Sequence, residues 1–309
     1  MASLEDYQAV FSPKLQWPYD RKAIQGIESH RTTYEGYLFV DRVLRALGIL
    51  KGKTYPPKTD NALQQLHQQI CEANMTMHHK LSIFYYVLLD FDAANPKHSP
   101  SPSESFASKY GMPQSYQTFM LGLWYMDKSE FDTALEYIAH PSLIPDFADE
   151  IILALTRYAS DGEDYSLALS YFYTVQPILK SSIALESLFE AIATTSMSEA
   201  LVYSRTHPEH TREMLFRQLI AFALRSQTNE EVQRRTSELV FSTLDSTEEA
   251  WLEDYLSTDN SHTSKKSKDT LLVRRIICDR FAETEKQKAG NHWADLLQGI
   301  KEGIHGQEE

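Results

Sequence analysis

The chain has 309 residues, 42% hydrophobic and 24% charged, and its 11 glycines and 12 prolines are too few for a collagen-like or low-complexity protein. The formal net charge is −13, and residues 59–257 alone carry −16, so duplex DNA should repel the chain and direct nucleic-acid binding is not expected. The two cysteines, Cys71 and Cys278, exclude a disulfide framework and favour a reducing compartment.

Neither a signal peptide nor a membrane span is expected from the apolar pattern. The first seven residues include Glu5 and Asp6 and form no apolar run. The longest apolar run, residues 83–89, falls far short of the roughly 20 residues that cross a bilayer. We therefore expect a soluble intracellular protein without membrane insertion.

Apolar residues recur at helical spacing along most of the chain, and strand-like alternation is almost absent. A helical segment over Phe39–Leu47 ends at Gly48, and residues 81–89 are apolar on nearly every side, which predicts a core helix. Further helical stripes cover Phe131–Ile138, Phe147–Tyr158, Tyr165–Phe172, Leu185–Ile192 and Phe216–Leu224. Serines followed three residues later by a carboxylate predict helix starts at Ser129, Ser196 and Ser246.

A degenerate repeat runs through three of these helices. The motif Ala-Leu-x-Tyr begins at Ala134, Ala168 and Ala200, at spacings of 34 and 32 residues. This is the period of helix–turn–helix repeats such as TPR. The pattern predicts an all-α protein, an α-solenoid of antiparallel helix pairs that is TPR/HEAT-like and degenerate.

Composition divides the chain into three parts. Residues 1–256 form the predicted helical solenoid domain, 257–268 a flexible linker with a run of lysines, and 269–309 a C-terminal helical extension. The extension ends in an amphipathic stripe that either folds back onto the body or docks into a partner groove. The stripe residues offered for partner binding are Trp293, Leu296, Leu297 and Ile300.

No motif supports catalysis, a cofactor or a metal site. Gly48–Thr54 resembles a P-loop but has three residues between its glycines instead of four and follows a helix, so a helix-ending loop is the better interpretation. The histidines at 78–79 and at 207 and 210 lack metal-site spacing, and Asp90-Phe91-Asp92 is not followed by an EF-hand loop. We therefore predict a non-enzymatic protein with no cofactor.

Candidate partner-binding residues lie around a proline-containing turn. The turn 140–147 either simply crosses between helices or presents Leu143 and Ile144, with Phe147, to a partner at low entropic cost. Tyr125 is an interface-type residue, whereas its neighbour Trp124 is expected in the core. The Ser-Pro steps at Ser99 and Ser101 are either phosphorylation sites or an ordinary surface loop.

One long stretch has family-specific character. The sequences FMLGLWYMD at 119–127 and HPSLIPDFADEI at 140–151, with Tyr55-Pro56-Pro57 upstream, resemble the ELYS-like nuclear pore assembly domain over about residues 30 to 255. Animal members add a β-propeller and a tail with an AT-hook, whereas this chain has no room for a propeller and no RGRP-like hook. It therefore resembles the short fungal form, which consists of the helical domain alone.

The resemblance implies a structural nucleoporin at the nuclear envelope and the nuclear pore complex. It implies association with the Y-shaped outer-ring complex, near the large propeller–solenoid arm subunit. The alternative that the residues leave open is a generic TPR-like adaptor that binds peptides. A footprint on a folded partner domain would favour the first, and binding of an isolated peptide the second.

Overall fold

The computed structural model describes residues 4–34, 36–49, 54–144, 146–159, 164–225, 229–258, 264–278 and 280. Contacts divide the chain into two compact units, Met1–Ala184 and Leu185–Glu309, which are treated separately below. Within the described residues there are sixteen α-helices and no strand, which confirms the all-α prediction. None of the described helices is both long enough and apolar enough to cross a membrane.

The first unit is built around helix α5 (Met77–Ala94). Eleven consecutive residues of α5, Leu81 to Phe91, are buried, which confirms the predicted core helix. The other helices of this unit are α1 (Tyr7–Val10), α2 (Arg21–Thr33), α3 (Phe39–Ala46), α4 (Asp60–Glu72), α6 (Pro102–Tyr110), α7 (Gln114–Asp127), α8 (Phe131–Ile138), α9 (Ala148–Ala159) and α10 (Ser166–Val175). Because α3, α4, α6 and α7 all pack on α5, its segment Leu81–Phe91 is covered on every side.

Small residues let the helices of this unit approach closely. A Cβ built on Gly122 of α7 would lie 2.5 Å from Ile138 Cγ2 and 3.1 Å from Tyr137 Cβ on α8. The repeat alanines Ala134 and Ala168 are completely buried, as is Ala200 in the second unit. The repeat therefore marks close packing positions, while the stacking of the helices into a solenoid stays a prediction.

The second unit centres on α13 (Glu209–Leu224). Its stripe residues Phe216, Leu219 and Ile220 are almost entirely buried, as the spacing predicted. The other helices are α11 (Ser182–Thr195), whose first residues belong to the first unit, α12 (Met197–Ser204), α14 (Asn229–Phe241), α15 (Ser246–Ser257) and α16 (Ser264–Ile277). Helices α12, α14 and α15 pack on α13, and α16 packs on α14 and α15.

The last described helix begins earlier than the sequence suggested. Helix α16 starts at Ser264, so the lysine run at 265–268 is helical, and Ser267 and Thr270 are buried. Residues 259–263 and 281–309 lie outside the described part of the chain, so the predicted linker is described only at its two ends. The division into domain, linker and extension stays a prediction.

Gly48 ends a helix, as expected for a capping loop. It has a φ of 82°, its N–H donates to the Arg45 carbonyl, and the Ile49 N–H donates to the Leu44 carbonyl. This is the pattern of a left-handed helix terminus, in which glycine avoids the Cβ penalty. A P-loop follows a strand, whereas Gly48 follows helix α3, so the segment does not have the structural context of a P-loop.

Two of the three predicted helix starts are wrong. Ser196 caps α12 as expected, accepting from the Glu199 N–H. Ser129 has a φ of 60° and completes the turn that ends α7, so Glu130 is the N-cap residue of α8. Asp245 replaces Ser246 as the cap of α15, because its carboxylate accepts from two backbone N–H groups.

Candidate partner-binding surface

The proline-containing turn joins α8 to α9 and displays one large apolar side chain. The Leu143 N–H donates to the His140 carbonyl at 3.0 Å, and the Asp146 N–H donates to the Ile144 carbonyl at 2.8 Å. The Ile144 side chain is 82% exposed, while Leu143 is partly exposed. Backbone hydrogen bonds thus fix a turn whose most exposed large side chain is apolar.

Phe147 fixes the exit of this turn. Its φ of 57° is unusual for an aromatic residue and sets the direction in which α9 leaves. Its carbonyl accepts the Ile151 N–H at 2.9 Å, the first hydrogen bond of the helix. Since the ring is only partly exposed, Phe147 supports the turn and adds to its apolar surface.

A second loop is held at the same end of α9. The Asp149 carboxylate accepts the N–H groups of Lys180 and Ser181 through one oxygen, at 2.9 and 3.0 Å. This loop carries Ile178, which is 86% exposed. We call Leu143, Ile144, Phe147 and Ile178 the α9-end surface.

Ile178 was not among the predicted partner-binding residues, although the sequence contains a signal for it. Pro177 precedes it, and no helical stripe includes it, so a large apolar residue in a loop could have been recognised. Ile183, near the start of α11, is also 61% exposed and was missed because it lies just before the stripe at Leu185–Ile192.

Charged residues lie beside the α9-end surface. Asp146 is exposed, Asp149 is partly exposed, and Glu150 lies 3.7 Å from the Arg42 guanidinium. Burial raises the pKa of the nearby Tyr171 phenol, and the Asp146 carboxylate raises it further, so the phenol is neutral at physiological pH. The surface is therefore apolar at Ile144 and Ile178, with the exposed Asp146 beside Ile144 and the exposed Lys180 beside Ile178.

Tyr125 lies on α7, outside this surface. Its ring stacks on Tyr137 of α8 with centroids 5.6 Å apart and an angle of 15° between the planes. Burial raises the pKa of Tyr125, and the neighbouring Tyr137 and Glu130 raise it further. Trp124 is buried, as expected, and its indole N–H donates to Asp90 at 2.8 Å.

The Ser-Pro loop divides into an exposed serine and a structural one. Ser99 is exposed. Ser101 is the N-cap of α6, accepting the Glu104 N–H at 3.2 Å while the Ser101 N–H donates to the Glu104 carboxylate at 3.1 Å. Modification of Ser101 would disturb this capping box, so Ser99 is the more accessible of the two. The stripe residues Trp293, Leu296, Leu297 and Ile300 lie outside the described residues.

Comparisons with known proteins identify relatives over the helical region. The family model described as "ELYS: Nuclear pore complex assembly" matches residues 37–259. The protein ely5 of Schizosaccharomyces pombe is 27% identical over 179 residues, which are 57% of this chain and 56% of that protein. Protein ELYS of Homo sapiens is 26% identical over 129 residues, 41% of this chain and 5% of the human protein. The match thus spans about half of the yeast relative and a small part of the human one.

Proposed function

Because the chain belongs to the ELYS family of nuclear pore complex assembly, we propose that it is a non-catalytic structural nucleoporin that docks on the Y-shaped outer-ring complex. Family membership implies that it acts at the nuclear pore complex. Its proposed partner is the large propeller–solenoid arm subunit of that complex. The helical body would serve as a scaffold that displays binding residues, without chemistry of its own.

The α9-end surface is the observation that carries the docking proposal. Ile144 and Ile178 are more exposed than the other large apolar side chains of the described residues, and both stand on loops fixed by hydrogen bonds. Exposed apolar side chains on a fixed backbone favour binding, because little conformational entropy is lost when a partner covers them. The family match includes both residues.

Co-purification with outer-ring subunits tests the proposal. We expect the full chain to retain the arm subunit and the double variant Ile144→Asp/Ile178→Asp to lose it, with unchanged melting temperature because both side chains are exposed. Met77→Asp is the matched control, since Met77 is 58% exposed in the same unit but at the start of α5. If the double variant retained the arm subunit as well as Met77→Asp does, the α9-end surface would not be the docking site.

The adaptor alternative makes a different prediction for the same preparation. A peptide-binding adaptor should bind an isolated linear segment of its partner about as tightly as the folded domain. A scaffold subunit should bind the folded domain and lose the interaction when that domain is unfolded. Equal affinity for peptide and domain, measured by calorimetry, would replace the scaffold proposal with the adaptor.

A further inference from the structure

The first unit contains a cavity of about 440 Å³ beside α2, α5 and α7. Aromatic side chains form much of its wall, namely Trp17, Tyr19, Tyr55, Tyr86 and Trp124. Volumes of this size hold small ligands or a side chain from another protein. Gly26, Asp20 and Glu130 also line it and are exposed, so the cavity opens to solvent there.

The aromatic wall is held in a fixed arrangement by one buried carboxylate. Asp90 accepts hydrogen bonds from the Tyr19 hydroxyl at 2.8 Å, the Tyr55 hydroxyl at 2.7 Å and the Trp124 indole N–H at 2.8 Å. The rings also meet edge to face, with Tyr19 and Tyr55 centroids 6.1 Å apart. A wall fixed in this way loses little freedom when a ligand enters.

The charges that line the cavity favour a cation. The two carboxylates at its opening, Asp20 and Glu130, are exposed, whereas Asp90 and Asp127 are buried and their oxygens already accept hydrogen bonds from the wall. Aromatic faces add to this preference, because the negative face of a ring attracts a positive charge, most strongly in tryptophan. An anionic ligand would meet an excess of negative charge.

The protein already places a cation against this wall. The Lys128 ammonium lies 3.4 Å from the centroid of the Trp124 ring. Burial lowers the pKa of Lys128, while the Asp90 and Glu130 carboxylates act in the opposite direction. Lys128 is the C-cap residue of α7, and lysine carries its ammonium on a four-carbon stem, so we expect a second cation to compete with it for the same ring.

We propose that this cavity binds the cationic side chain of a lysine or arginine from a basic segment of a partner protein, which displaces Lys128 from the Trp124 ring. The site lies apart from the α9-end surface and does not depend on the scaffold role. The ligand must carry a positive charge, and its side chain must be narrow enough to enter the cavity beside Gly26.

Titration of the full chain with single amino-acid probes tests this site. The probes are N-acetyl-arginine amide and N-acetyl-lysine amide, with N-acetyl-norleucine amide as the uncharged match, and the readout is the indole N–H signals in nuclear magnetic resonance spectra. We expect saturable shifts of Trp17 and Trp124 with a cationic probe and none with norleucine. Trp251, in the second unit, should stay unchanged as an internal control. The absence of shifts with both cationic probes, or an equal response to norleucine, would overturn the proposal.

Two variants separate the cavity from the surrounding surface. A Cβ added at Gly26 meets nothing within 4 Å, so Gly26→Leu should fold normally, fill the entrance and weaken binding by at least about tenfold. Gln25→Leu, on the same helix but not lining the cavity, should bind as the unmodified chain does. Lys128→Met should bind several-fold more tightly, because no internal cation competes. Unchanged affinity in Gly26→Leu would overturn the site, and unchanged affinity in Lys128→Met would overturn the displacement.

Discussion

At the scale of single residues, buried carboxylates organise both units through different partners. Asp127, in the first unit, accepts the backbone N–H groups of Phe39 and Val40 and the Tyr86 hydroxyl. Glu248, in the second unit, is completely buried and pairs with Arg205 and Arg212. Asp127 is buried among uncharged donors and Glu248 among cations. The stability of the first unit and that of the second unit should therefore respond to pH in opposite directions.

Asp127 should make the first unit less stable as pH rises towards neutrality. Burial raises the pKa of Asp127 to about 7, although hydrogen bonds from Val40, Phe39 and Tyr86 oppose the rise. The folded state therefore holds a proton that the unfolded chain releases near pH 4, and the stability gained, on the order of 4 kcal/mol, is present below about pH 4 and lost by about pH 7. Hydrogen exchange measured between these pH values should show it in the first unit.

Asp127→Asn provides the control for this titration. The variant should be less stable overall, because the amide offers one acceptor where the carboxylate offers two oxygens to Phe39, Val40 and Tyr86. Its loss of stability between about pH 4 and 7 should be smaller than that of the unmodified chain. Identical pH profiles for the two proteins would assign the dependence to another group.

Glu248 should have the opposite effect on the second unit. Burial alone would raise the pKa of Glu248, but hydrogen bonds from Arg205 and Arg212 outweigh it and hold the pKa below its ordinary value. Its contribution is therefore present above the unfolded pKa of about 4.3 and lost as pH falls through the lower folded value. Glu248→Gln should cost about 2–3 kcal/mol at neutral pH, less than for fully buried pairs because both arginines keep some contact with water.

An exposed ion pair in the second unit provides the comparison with the buried Glu248. Glu238 pairs with Arg234, and both side chains are largely exposed. Glu238→Gln should change the free energy of unfolding by less than about 1 kcal/mol. Urea unfolding curves of the two variants, followed by tryptophan fluorescence, measure the difference, and equal losses would show that burial of Glu248 adds nothing.

At the scale of helices, contact distances decide which side chain a position accepts. Helices α7 and α8 meet where Gly122 leaves no room for a methyl group, whereas Gly26 of α2 has open space around it. Both glycines stand inside helices, where alanine is otherwise preferred by about 1 kcal/mol. The same substitution should therefore have opposite signs at the two positions.

Gly122→Ala should destabilise the first unit and Gly26→Ala should stabilise it. The added Cβ at 122 would lie 2.5 Å from Ile138 Cγ2 and 3.2 Å from the Ile138 nitrogen, so α8 must move, at a net cost of about 1–3 kcal/mol. The change at 26 should gain about 0.5–1 kcal/mol. Thermal melting of both variants measures the signs, and a stabilised Gly122→Ala would mean that the two helices separate easily.

Helix type and the buried faces could be predicted from the sequence, because both follow from local periodicity. Local pattern also identified Ser196 as a cap and Gly48 as a helix end. The local pattern gave the wrong cap for α15, because Asp245 and not Ser246 forms a capping box with Glu248. Glu248 is in turn held by Arg205 and Arg212, which are distant in the sequence, so no local pattern could reveal this choice. Asp90 was considered from the sequence only as a cation ligand and set aside, since nothing local reveals that Tyr19, Tyr55 and Trp124 converge on it.

At the scale of the whole molecule, the charge distribution restricts the choice of partners. The segment 59–257 carries a net charge of −16, while residues 1–58 carry +3. Negative charge of this size repels nucleic acid and favours partners with basic surfaces. The opening of the proposed cavity carries two exposed carboxylates, Asp20 and Glu130, in agreement with that preference, whereas the proposed docking surface carries both Asp146 and Lys180.

Bare duplex DNA should therefore not be retained by the full chain at physiological salt. The phosphate backbone of DNA repels the acidic segment 59–257, and the basic residues of 1–58 are too few to offset this repulsion. Fluorescence anisotropy with a labelled duplex measures this. A submicromolar complex that weakens steeply with salt would contradict it.

Removal of residues 290–309 should weaken binding to the outer-ring partner more than it lowers the melting temperature. The segment carries the stripe of Trp293, Leu296, Leu297 and Ile300, which is typical of a helix that docks into a groove. Calorimetric affinity and thermal melting of the truncated and full chains give the two quantities. The reverse ranking would assign the stripe to the core of the protein.

The full burial of α5 also bears on how the chain is made. Residues 81–91 leave the ribosome before α6 and α7 exist, and only α3 and α4 are then available to cover them. Until synthesis passes Asp127, the nascent chain carries an eleven-residue, mostly apolar segment that lacks two of the helices that will cover it. Chaperones bind exposed apolar segments of this kind. The yield of folded protein in the cell should therefore depend on chaperone binding to the nascent chain until α7 has been synthesised.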